Sequence, residues 1–197
     1  MNSFSQFNCH CNYCSDGGNY IWKKDKDLFI EIPKNGSSSL KNSILGEYQR
    51  TKVIPEDFEK SIAIVRNPVN RFKSLCAMYF SEETKRKLKG LVWLKEHHLG
   101  EFNPSTIASV VLKNFDKVNN GLLEPHHWDQ QISFIPQEIF SKPVLLVRLQ
   151  DLSFVFPSVP HVNKTDKSQI VITEDDLSLI KEKYANDFKL YNEAYIP

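Results

Sequence analysis

Three groups of residues in this 197-residue chain have types and spacings that could do chemistry. Lys34-Asn35-Gly36-Ser37-Ser38-Ser39 forms a polar turn between the apolar run Leu28-Phe29-Ile30-Glu31-Ile32 and a helical pattern. Arg66 closes a second apolar run, Ser61 to Val65, and Arg71 and Ser74 follow on the next helical segment. His126-His127 sits beside Trp128 in Pro125-His126-His127-Trp128-Asp129-Gln130-Gln131. A turn from strand to helix N-terminus gathers backbone N–H groups and the positive end of the helix dipole, so it suits an anion. Lys34 adds a full charge, Gly36 allows close backbone approach, and the three serines add hydroxyl donors or cap the helix.

The first turn is not a Walker A loop, in which the lysine follows the second of two glycines. Lys34 precedes the only glycine of the turn, which disfavours an ATP or GTP hydrolase. The second turn repeats the logic. Asn67 is a good N-cap and Pro68 suits the first helical position. Phe72, Leu75, Cys76 and Tyr79 then mark a buried helix face, with Arg71 and Ser74 three apart on a neighbouring one. Guanidinium is well matched to phosphate. Two anion sites on two strand-to-helix turns call for a ligand with two separated phosphate-type groups.

Ile32-Pro33-Lys34-Asn35-Gly36-Ser37-Ser38-Ser39-Leu40 and Val65-Arg66-Asn67-Pro68-Val69-Asn70-Arg71-Phe72-Lys73-Ser74 resemble the two nucleotide motifs of sulfotransferases that use 3′-phosphoadenosine 5′-phosphosulfate (PAPS). The likeness is greatest to the carbohydrate, Golgi-type branch. His127-Trp128-Asp129-Gln130-Gln131 is similar to its His-Trp-x-x-Gln segment, Asn163-Lys164-Thr165 to its late loop, and residues 184–191 to its closing helix. The resemblance spans about residues 28–191.

It implies a P-loop-like three-layer α/β fold, with a central parallel sheet flanked by helices. It implies a transferase moving a sulfuryl group from PAPS to a hydroxyl on a carbohydrate or small metabolite, with PAP as product and no metal. By the same resemblance Lys34, Asn35, Gly36, Ser37, Ser38 and Ser39 hold the 5′-phosphosulfate, and Arg66 and Ser74 hold the 3′-phosphate. Asn163 and Lys164, with Lys167, lie in a loop that could close over the nucleotide. Lys34 would stabilise the leaving phosphate, where negative charge grows. The glutamate that serves as base in some relatives falls near Asn42, which cannot act as one. His127 is therefore the first choice of base and His126 the second, since histidine titrates near neutrality. Glu124 and the pair His97-His98 are fallbacks, and Arg71 is either a ligand contact or half of a structural ion pair. Two alternatives stay open: a PAP or PAPS binder without catalysis, and a different phosphate-binding enzyme such as a small kinase.

Composition sets the frame. With 41% hydrophobic and 25% charged residues the chain reads as globular, and its formal net charge of +1 gives no bulk field for nucleic acid. No run of about 20 apolar residues marks a membrane span, and no signal-peptide core is visible. A cytoplasmic location is the expectation, because a glycan on Asn35 would block the proposed anion loop, and a bacterial or viral origin is expected because the stem and anchor of the animal enzymes it resembles are not seen. So small a chain leaves the acceptor pocket open, or completed by a second copy in a homo-oligomer. Lys85, Arg86, Lys87 and Lys89 are a solvated face or meet an anionic acceptor. Residues 1–27 read as an arm holding Cys9, His10, Cys11 and Cys14, with a short strand at 20–22, and residues 28–197 as one domain. The cysteine spacing fits no paired zinc knuckle, so free thiols are expected, with a bound metal, or a disulfide among them or to Cys76, as the alternatives. Further expected elements are helices at about 38–49, 68–80, 82–98 and 104–115, strands at 61–65 and 144–147, and a last helix capped by Thr173 and Asp176.

Overall fold

A computed structural model describes residues 21–36, 40, 43, 45–51, 53–81, 85–118, 123–159 and 167–194. The Cys9–Cys14 cluster, Ser37, Ser38, Ser39, Asn42, Asn163 and Lys164 lie outside the described residues. Five strands form one mixed sheet in the order β3-β1-β2-β4-β5. They are β1 (Ile21–Lys24), β2 (Asp27–Ile30), β3 (Gln49–Thr51), β4 (Lys60–Val65) and β5 (Val144–Arg148).

The parallel part expected from the alternating pattern is β2-β4-β5, with Leu28 opposite Ser61 and Ser61 opposite Val144. The sheet departs from all-parallel on its other side. A two-residue turn, in which Asp25 takes φ 53°, joins β1 to β2, so they pair antiparallel, and β3 adds antiparallel to β1. The expected boundary at residue 27 therefore falls inside a hairpin, and β1 lies within the sheet. The short strand expected at 20–22 is seen as β1, which runs from Ile21 on through Lys23 and Lys24.

Period-2 alternation buries both faces of the central strands. Leu28, Ile30, Ala63 and Val65 face Ile135, Ile139 and Leu190 on one side. Phe29, Ile62, Ile64 and Val147 face Leu40, Leu45 and Leu152 on the other. The helix expected at 38–49 is cut short: residues 45–47 make a 3-10 turn, and residues 49–51 leave to pair with β1.

A second core is helical. It is built from α1 (Pro68–Cys76), α2 (Lys85–Glu96), α3 (Ile107–Lys113), α4 (Phe115–Val118) and α5 (Pro125–Trp128). After the short α6 (Leu152–Val155) come α7 (Glu174–Lys183) and α8 (Ala185–Glu193). The expected caps are present. Asn67 Oδ1 accepts from Asn70 N at 3.2 Å, and Thr173 and Asp176 form a reciprocal capping box. Cys76 is a free thiol in this core.

The helix expected over 68–80 instead changes pitch. Beyond Cys76 it becomes a π-helical turn, Ala77–Ser81, of the kind often found at functional sites. This turn carries Met78 and Tyr79 toward the ends of β2 and β4. Helix α2 lies close over it at Gly90, where an added Cβ would sit 2.1 Å from the Tyr79 carbonyl oxygen and 2.9 Å from the Phe80 ring. Gly90→Ala must push α2 off the turn. The expected cost is about 1–3 kcal/mol, typical of overpacking. Urea unfolding should show a lower midpoint at unchanged slope, and an unchanged midpoint would contradict this packing.

Candidate functional site

The site forms at the carboxyl ends of β2 and β4, where open α/β sheets bind ligands. Beyond β2 the chain turns through Pro33 to Gly36. Gly36 has φ 84°, and a Cβ there would meet Leu149 at 2.8 Å, so glycine answers both the backbone and the packing. Lys34 also has positive φ, 69°, which is uncommon for a long side chain and costs on the order of 1 kcal/mol. Surrounding bonds hold it there. Arg66 Nη1 donates to the Lys34 carbonyl at 2.9 Å, and Arg71 Nε to the Pro33 carbonyl at 3.3 Å.

Arg71 is a brace. Its guanidinium is 1% exposed and donates also to the carbonyls of His127 (2.9 Å) and Asp129 (2.7 Å). Neither sequence alternative for it holds: it makes no ion pair among the described residues, and its donors face backbone. Asn35 is likewise internal. Its N–H donates to Ile32 O, and its side-chain amide to Ile64 O (2.7 Å) and Gln131 Oε1 (2.6 Å). The expectation that Asn35 binds the ligand gives way to a bracing role, because every N–H it has is already used.

Gln131, which carried only a motif match in the sequence, is fully buried. Its Oε1 accepts from Arg66 N at 2.8 Å and its Nε2 donates to Arg66 O at 2.8 Å. One side chain thus locks the end of β4 to the Lys34 loop.

Arg66, Lys73 and Lys167 make a cationic set. Burial, and then the Arg66 and Lys73 charges, pull the Lys167 ammonium down. Burial, with repulsion from Arg71, brings Arg66 down to about 10. Among the described residues none of the three is ion-paired. Such mutual repulsion without a carboxylate has the electrostatics of an anion site. Ser74, on α1, is 2% exposed.

The histidines converge on the same end of the sheet. His127 feels the Lys34 charge, and the Lys34 ammonium lies 3.3 Å from Met78 Sδ. Burial first, and then Arg86 and Lys34, push His127 down against the lift from Glu124, which favours a neutral imidazole. Its Nδ1 lies 2.9 Å from Glu124 Oε2 and 3.2 Å from the Tyr79 hydroxyl. His126 stacks beside it at 4.2 Å between ring centroids. Burial and the His127 charge lower His126 to about 4. Glu124 also accepts from Arg86 Nε (3.2 Å) and Lys89 Nζ (3.1 Å), and the His127 hydrogen bond first, with these donors after it, holds its carboxylate far below the usual range. One ligand atom each of Glu124, His126 and His127 lies within 4.8 Å of the others, and Arg86 and Lys89 pair with the same carboxylate. His97 and His98 lie at the end of α2, where His97 packs on Trp93.

No protein-family model, curated protein or solved structure matches the chain.

Two site groups give opposite pH dependences. A folded-state pKa of about 4 against an ordinary 6.5 means that His126 favours folding fully above pH 6.5 and loses that contribution as pH falls toward 4. Burial raises Asp129 from 3.8 to about 6, so its penalty is present above pH 6 and is relieved as pH falls toward 3.8. In thermal melts His126→Gln should flatten the decline between pH 6.5 and 4, and Asp129→Asn should stabilise mainly above pH 6. A His126→Gln profile parallel to wild type would contradict this account.

Proposed function

We propose that the protein is a PAPS-dependent sulfotransferase acting on a hydroxyl acceptor, a carbohydrate or small metabolite. The observation that carries the reading is the pairing of two unlike features at one sheet end: a lysine on a strained loop within electrostatic range of a buried neutral histidine, beside three cations without carboxylates. In this reading Arg66, Lys73 and Lys167 receive the 3′-phosphate. The Lys34 loop receives the 5′-phosphosulfate.

The acceptor hydroxyl gives its proton to His127. The acceptor oxygen forms the new bond to sulfur as the bond from sulfur to the bridging oxygen breaks, and the electron pair leaves on the phosphate. Lys34 meets the charge that grows there, and it does so without reorganising, because Arg66 already fixes its backbone. Glu124 is a poor base by comparison. Four donors converge on its carboxylate from His127, Tyr79, Arg86 and Lys89, and they hold it ionised.

The test is a thermal shift with PAP beside ATP-Mg²⁺. Selective binding at a hundredfold excess over Kd stabilises by about 2.7 kcal/mol. The expected result is a rise with PAP alone, lost in Arg66→Ala. In Lys167→Ala it should weaken by about tenfold or more in Kd, the scale of one hydrogen bond to a charged group. Labelled PAPS and an acceptor screen then follow, with Lys34→Ala inactive. A folded protein that ignores PAP would overturn the reading, and one that responds only to ATP-Mg²⁺ would make it a small kinase.

A further inference from the structure

We infer that Glu124 is the positioning residue of a Glu124–His127 dyad, fixing the imidazole with Nδ1 protonated and Nε2 free to take a proton. This rests on the base role proposed above for His127, but the dyad itself is a property of the free protein. Four observations carry it.

His127 Nδ1 lies 2.9 Å from Glu124 Oε2, closer than any other acceptor described around the ring. A carboxylate accepts only, so the proton of that bond belongs to Nδ1. The remaining nitrogen, Nε2, is then the lone-pair end.

The carboxylate is itself immobilised. The Tyr79 hydroxyl donates to Glu124 Oε2 at 3.3 Å and accepts from Glu124 N at 3.1 Å, so side chain and backbone are tied to one phenol. Arg86 and Lys89 of α2 hold its two oxygens from the solvent side.

The local fold fixes the spacing. Pro125 opens α5, and His127 N donates to Glu124 O at 3.0 Å, which sets the two side chains one turn apart. Tyr79 meets the pair from the π-helical turn that follows α1.

The charges facing the ring are mixed. Glu124 lies on one side, and Arg86 and Lys34 on others, with His126 stacked against it. The carboxylate is the one anionic group among them, so it alone offsets the charge that His127 acquires on taking a proton.

The experiment uses the full chain with ¹⁵N-labelled histidine. Long-range ¹H–¹⁵N spectra recorded through a pH titration report tautomer and midpoint, and loss of signals in His127→Gln gives the assignment. The expected wild-type result is one tautomer, Nδ1–H with bare Nε2. In Glu124→Gln the His127 midpoint should fall by about one unit or more, the scale of losing an adjacent opposite charge, and the tautomer should become mixed. Glu124→Asp should restore part of both. An Nε2–H tautomer in wild type overturns the dyad. So does an unchanged midpoint and tautomer in a folded Glu124→Gln. If the glutamine variant does not fold, the wild-type tautomer and the aspartate variant decide. PAP added to the same sample separates the two ideas. Absence of PAP binding would sink the sulfotransferase reading and leave the measured tautomer standing.

Discussion

The site depends on one buried guanidinium. Arg71 reaches from α1 to three carbonyls that belong to two distant stretches of chain, Pro33 on one side and His127 and Asp129 on the other. Nothing in the sheet requires those stretches to meet. β2 ends near one, and the other lies some ninety residues further on, past β3, β4 and several helices. A cation with directed donors, surrounded by carbonyl dipoles, joins them at fixed angles. Burying that charge without a hydrogen-bonded carboxylate is costly, and burial lowers its proton affinity. The nearby charges of Asp129 and Asp187, and the carbonyls themselves, offset this. The return is geometric: Lys34 is held within range of His127.

A second, neutral lock works on the same loop. Gln131 and Asn35 bond to each other and to the edge of β4, joining residues 35, 64, 66 and 131 in one amide network in which Asn35 Oδ1 is left without a partner. Buried amide networks are favourable when nearly every member is satisfied, and they specify a single arrangement. Here the arrangement includes a lysine with φ 69°. Such strain persists only where the surroundings over-determine it. Arg66 and Arg71 grip the peptide carbonyls on either side of that residue, and Gln131 fixes Arg66 in turn.

What the sequence disclosed follows the range of the interactions. Local rules carried well. Asn67-Pro68 and Thr173-Asp176 cap their helices, the apolar runs at 28–30, 61–65 and 144–147 are strands, and Phe72, Leu75, Cys76 and Tyr79 are buried. β1 was legible only in its Ile21-Trp22 start, because the apolar signal ends at Lys23-Lys24, and the helix after Leu40 was overextended because β3 takes the chain into the sheet. At the site, residue types were legible and roles were not. Arg71 and Asn35 have the chemistry of ligand contacts, yet partners 29 to 96 residues away claim their donors. Tyr79 read only as an apolar-face residue. Its hydroxyl meets Glu124 because the helix changes pitch at Ala77, which no periodicity announces.

The charges around the site divide into two sets, and the division carries meaning. Arg86 and Lys89 surround Glu124, so the fold compensates them itself. Arg66, Lys73 and Lys167 have no ion-pair partner among the described residues; burial and then Arg71 depress Arg66, and burial and then Arg66 and Lys73 depress Lys167. A compensated cation is explained by the fold. An uncompensated, partly buried group of them lowers stability, since repulsion and desolvation both oppose it. The energetic deficit at one end of the sheet is the complement of an anion with more than one charge. The compensated set lies on the other side of His127, where it steadies Glu124 and leaves its charge available to the imidazole. In the function proposed above, anion binding falls to the uncompensated set and proton transfer to the compensated one, with Lys34 close to His127.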